Sequence, residues 1–225
     1  MIPFQNPTIY IGGLQIDEPI TVLTDLIFCA VCFYAFFKTI KISNIKAIKL
    51  YSLFFLTTGI STLIAALIGH AFLYHFGKDA KIYGWILGIF SISFSLFAVL
   101  SHTKSILGNK TYKTLLYLSY LEILISLICT FYFWSFIVVI IHTTFSFLIM
   151  VVPLEYMKYK KTKSQLSLYM IYGVGFMLIA ALCHLLKLGF GIWFNHLDVS
   201  HVFMTLSICS MCFGVKNFKK TKQLN

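Results

Sequence analysis

The chain has 225 residues, of which 59% are hydrophobic and only 11% charged, with a mean hydropathy of +0.88. That balance is too apolar for a soluble domain of this size and points to an integral membrane protein. The net charge of +11 does not signal nucleic acid, because the lysines sit in short runs between apolar stretches. Every basic side chain is Lys, which excludes a phosphate or carboxylate site built on arginine forks.

In chain order, residues 1–16 carry no lysine and no small-residue cleavage pattern, so they read as an ordered cap or interfacial segment rather than a signal peptide. About twenty apolar residues cross a bilayer as a helix. Such spans are expected at 19–37, 51–73, 82–100, 115–129, 134–152, 166–186 and 197–215. The stretch 115–152 is nearly uninterrupted, and as one helix it would reach about 57 Å, twice a hydrocarbon core. Two spans joined by a tight aromatic turn at 130–134 fit better. The lysines agree: with the N-terminus outside, fifteen of eighteen fall on the inner side, leaving Lys78, Lys81 and Lys187 outside.

The expected architecture is therefore all-α and polytopic, one domain over residues 1–225 with seven transmembrane helices, N-terminus outside and C-terminus inside. Residues 1–18 form an outer cap and 216–225 a basic cytoplasmic tail. A Lys, Ile, Phe, Tyr and Asn bias suggests an AT-rich bacterial genome, hence the inner (cytoplasmic) membrane. Cys29, Cys32, Cys129, Cys183, Cys209 and Cys212 all lie inside spans, so no disulfide framework is implied.

Ionisable residues inside a membrane are expensive and mark sites. Here they gather at the outer (periplasmic) rim: Asp25 early in the first span, His70 and His75 late in the second, His184 late in the sixth, and His196, Asp198 and His201 opening the seventh. Asp198 and His201, three apart, share a helix face. His196 and His201 are about 140° apart around a helix, as are His70 and His75, so His75 and His196 read as interfacial. His70, His201 and one carboxylate (Asp198 or Asp25) make a plausible set for a metal with an open position, the ligand pattern of catalytic zinc.

Gly69-His70-Ala71-Phe72-Leu73-Tyr74-His75, followed by a short charged loop and a third span, resembles the second-span ending of the CREST superfamily of seven-span metal hydrolases, which includes alkaline ceramidases and adiponectin-receptor-like proteins. Phe194-Asn195-His196-Leu197-Asp198-Val199-Ser200-His201 resembles its seventh-span opening. The resemblance implies a zinc held by His70 and His201. The family's His-x-x-x-His pair is here His196-x-x-x-x-His201 or Asp198-x-x-His201, its Ser one turn before the span-two His is Ala66, and its span-three acid is replaced by the region Tyr83-Gly84-Trp85.

Deeper in the membrane, Glu122 and His142 on adjacent spans are placed to pair, either as a proton path or as a packing contact. His102 reads as an interfacial anchor. The Cys29/Cys32 and Cys209/Cys212 pairs read as small apolar residues rather than a metal site, and Gly84-x-x-x-Gly88 as a close-packing surface. No lysine lies deep in the seventh span, which argues against a retinal protein. The leading expectation is a zinc-dependent intramembrane hydrolase of a lipid amide or ester. In it His70, Asp198 and His201 hold the metal, and Asp25 or Glu122 moves the proton. The alternative is a non-enzymatic bundle whose His/Asp rim binds a metal, a lipid headgroup, or a partner subunit or second copy. Proton-coupled or haem-linked electron transfer is a third reading.

Overall fold

Pro19 opens the first helix, where its preset φ suits the first turn and its missing N–H leaves no donor unsatisfied. In the computed structural model, residues 7–222 are described, with side chains through Phe218; residues 1–6 and 223–225 lie outside the described residues. The helices are α1 (Pro19–Thr39), α2 (Lys46–Ala71), α3 (Lys78–Ile106), α4 (Asn109–Phe133), α5 (Phe136–Thr162), α6 (Gln165–Leu185) and α7 (His196–Lys222). All seven are long and apolar enough to cross a membrane. Among the described residues the only sheet is a hairpin of β1 (Thr8–Ile11) and β2 (Leu14–Asp17). It turns through Gly12 and Gly13, both at positive φ.

Each expected span contains a helix, but most of the helices outrun the apolar windows where lysines begin. Lysine is a good helix former, so backbone hydrogen bonding continues after hydropathy has dropped. The segment expected as a basic tail from residue 216 is helical through Lys222, and its last three residues lie outside the described ones. The aromatic turn also moves. Residues 130–133 stay helical, and the chain reverses at Trp134, whose φ of 47° is left-handed. Ser135 then caps α5 by accepting the Ile137 N–H.

The core is built from Phe28, Phe54, Phe55, Leu96, Phe147, Met170 and Ile208, all buried. Gly84 and Gly88 let α3 approach Ser61 of α2, where an added Cβ would meet Ser61 atoms at 3.7 Å. By contrast α4 turns Tyr117, Leu121, Leu124 and Ile128 outward. Two stretches wind as π-helix: Ala65–Ala71, which ends α2, and Phe145–Val151 within α5.

His102 is not an interfacial anchor. It is buried, with Nδ1 at 3.0 Å from both oxygens of Glu155, and Glu155 also accepts a hydrogen bond from Tyr51 at 2.9 Å. The acid that draws it inward sits on α5, a span whose direction relative to α3 hydropathy does not reveal. All six cysteines are free thiols.

Candidate functional site

Glu18 joins the hairpin to α1 in a left-handed conformation, φ 48° and ψ 51°, and that sharp turn folds its side chain inward. The carboxylate, only 5% exposed as a residue, lies 2.7 Å from His70 Nδ1. His70 sits on the π-helical end of α2, where the Phe72 N–H reaches back five residues to Leu67 C=O. A π turn holds an extra residue and so redirects side chains relative to α-helical counting.

Asp25 lies within α1 and is 3% exposed. Its Oδ1 is 3.3 Å from His201 Nε2 and its Oδ2 3.8 Å from His70 Nε2. Oδ2 has no hydrogen-bond partner among the described residues. On α7, Asp198 is fully buried and uses both oxygens elsewhere. Oδ2 accepts the Asn195 N–H at 2.6 Å, and Oδ1 lies 3.3 Å from the Thr24 hydroxyl. Thr24 Oγ1 is also 3.0 Å from Thr21 C=O and 2.9 Å from His201 Nδ1.

These contacts fix the imidazole protons. Thr24 has one hydrogen, and both of its oxygen neighbours can only accept it, so His201 Nδ1–H must donate to Thr24. Likewise His70 Nδ1–H donates to the Glu18 carboxylate. In the neutral form each ring then turns a bare Nε2 toward the Asp25 carboxylate. Two nitrogen lone pairs and an anion facing one another repel unless a cation, a proton or a metal ion, lies between them. A carboxylate or hydroxyl on the far ring nitrogen is the usual support of a metal-binding histidine.

The group closes one end of a cavity of about 520 Å³ between the helices. Lys81, His184 and Ser61 line the walls with Asp25, His70 and His201, while Thr58 and Ser91 share a hydrogen bond deeper down. Phe28, Phe54, Phe147 and Met204 make the remaining surface mostly apolar.

The structure thus places Asp25 between His70 and His201, with Asp198 linked to His201 through Thr24. It sets Glu122 apart: Glu122 binds His142 Nδ1 at 2.8 and 2.9 Å and accepts from Ser126, and neither member of the pair lines the cavity. His142 Nε2 is satisfied by Ile89 C=O at 3.2 Å. His75 is exposed beside Tyr74 and Phe76, and His196 packs its ring 5.3 Å from that of His184. Sequence reasoning passed over Glu18, Thr24 and Asn195. Glu18 and Asn195 sit at helix starts, where a polar residue usually reads as a cap. The available signal was position, since both lie at the same end of the bundle as His70.

Among the described residues, no three His, Cys, Asp or Glu side chains are gathered closely enough to hold a metal ion as they stand. The 3.3 Å from Asp25 to His201 matches the spacing of about 3.3 Å between neighbouring donors around tetrahedral zinc, and the 3.8 Å to His70 exceeds it.

The fold and site define a seven-helix protein with a buried His/carboxylate centre at one end of an apolar cavity. The chain belongs to a family of unknown function (DUF6962), whose model matches residues 20–220. Neither a curated protein nor a solved structure matches it.

Proposed function

We propose that the protein is a zinc-dependent intramembrane hydrolase of a lipid amide or ester, with its N-terminus outside, its C-terminus inside and its site near the outer face of a bacterial inner membrane. The orientation rests on the lysines, which crowd the ends of the bundle away from the hairpin. The observation that carries the chemistry is the pair of imidazole Nε2 atoms facing a buried carboxylate with one unpartnered oxygen.

Those three groups fit a divalent cation in ligand type and in the support behind each imidazole. His70 and His201 are the nitrogen donors, and Asp25, rather than Asp198, is the carboxylate of the set. Zinc bound there supplies a Lewis acid for a carbonyl. Glu18 holds the His70 ring in its orientation. Asp198 acts on His201 through the Thr24 hydroxyl. The Asp25 oxygen without a partner is the acceptor placed to hold the proton that hydrolysis takes from water. The cavity's aromatic and aliphatic walls suit an acyl chain. The short sequence windows around His70 and His201 that resemble the CREST superfamily support the same reading. Glu122 has no part in it.

Elemental analysis of the detergent-purified protein tests the proposal. Stoichiometric zinc is expected in the wild type, with loss in His70→Ala and His201→Ala, together with cleavage of a lipid amide or ester that a chelator abolishes. Absence of zinc, or equal zinc in both variants, overturns it. Zinc without turnover on any lipid leaves the binding bundle as the function.

A further inference from the structure

Among the described residues, Lys81 is the one lysine that lines the cavity, and it has no part in the chemistry proposed for the histidines and Asp25. It stands at the start of α3, half-buried, with its stem passing Gly69, where an added Cβ would lie 3.9 Å from Lys81 Cγ. Two acids at this end of the cavity are engaged with other residues, Glu18 with His70 and Asp198 with Thr24 and Asn195, and Asp25 faces the two histidines. Among the described residues no carboxylate lies within ion-pair distance of the Lys81 ammonium. Asp25 acts on this ammonium from beyond ion-pair distance, which leaves a half-buried charge incompletely balanced, and it faces the same space that receives a ligand.

We infer that Lys81 is a specificity residue that selects lipids with an anionic headgroup, its ammonium binding the headgroup beside the scissile bond. The inference rests on the hydrolase reading for its catalytic test, but its binding test does not. The geometry supplies two halves of a match. The ligand's apolar part finds the Phe28, Phe54 and Phe147 walls, and its charge finds Lys81 on the same lining. Lys78, three residues earlier and exposed outside the cavity, serves as the internal control.

Two synthetic substrates sharing one acyl chain and one scissile amide, with a phosphate or a neutral hydroxyl headgroup, test the assignment. The wild type is expected to favour the phosphate lipid in kcat/KM. Lys81→Ala lowers that preference about ten- to hundredfold, the range of one charged hydrogen bond. Lys81→Arg keeps the preference, Lys81→Glu inverts it, and Lys78→Ala leaves it unchanged. An unchanged ratio in Lys81→Ala, or no preference in the wild type, overturns the assignment.

Binding of non-cleavable ether analogues of the same two lipids is read from Trp85, on the cavity wall, in a Trp134→Phe, Trp193→Phe background. Selective binding without cleavage keeps the Lys81 assignment and removes the hydrolase. Equal binding of the two analogues removes the assignment alone. Inorganic phosphate is the third arm: if it binds as tightly as the phosphate lipid, the site is one for free phosphate and the lipid selection fails.

Discussion

Glu18 bends the chain with a left-handed backbone, and that turn brings its carboxylate to the 2.7 Å hydrogen bond with His70. Glu18→Gln keeps the shape and removes the charge behind the imidazole. Zinc affinity measured by chelator competition is expected to fall about 10- to 100-fold, the usual cost of losing such a support. Unchanged affinity would mean that His70 is not a donor. Asp25, His70, Asp198 and His201 were legible as a group because each is an ionisable residue at one depth of an apolar span. Their division of labour was not legible. The i, i+3 spacing of Asp198 and His201 suggested two donors on one face, yet Asp198 turns to the Asn195 N–H, one of the unpaired donors that open every helix. Thr24 was invisible as well, because a threonine inside a span normally satisfies itself on the preceding turn. Here its hydroxyl also links two side chains of another helix.

Helix number followed directly from hydropathy, whereas helix ends and local winding did not. Counting three and four residues along α2 mispoints His70, because Ala65–Ala71 is π-helical and nothing in its composition announces the extra residue. The loop between α6 and α7 shows a similar dependence on backbone detail. A Cβ on Gly189 would lie 2.8 Å from Asn195 C and from His196 N, and backbone atoms cannot swing aside as side chains do. Gly189→Ala therefore pushes the loop off the start of α7 and disturbs the Asn195–Asp198 contact. The expected cost is about 1–3 kcal/mol in thermal unfolding, accompanied by weaker zinc retention. Gly175, whose added Cβ meets nothing within 4 Å, is the matched control: Gly175→Ala is expected to be neutral or mildly stabilising. Equal stability of the two variants would show that the loop is free to move.

Across the whole molecule, composition and lysine placement were enough for seven spans in one bundle, but not for the neighbours each span keeps. The pairing of Tyr51, His102 and Glu155 is one result of that packing order, drawing on α2, α3 and α5. The candidate site is another, and it uses both ends of the chain. Asp25 and Thr24 arrive with α1, His70 with α2, and Asp198 and His201 only with α7. A growing chain must therefore carry an acid in its first span through the insertion of five further helices before its final partner exists. Cells remove membrane proteins that hold unpaired charge in the bilayer, so the wait sets a checkpoint on synthesis. In pulse-chase labelling, a chain ending after α6 is expected to decay faster than the full chain, and Asp25→Asn in that truncated chain is expected to slow its loss. Equal half-lives with and without the Asp25 substitution would show that the cell does not sense the orphaned carboxylate. Faster decay that Asp25→Asn relieves would make the arrival of α7 a chemical event as much as a topological one, since α7 brings the second imidazole that Asp25 faces.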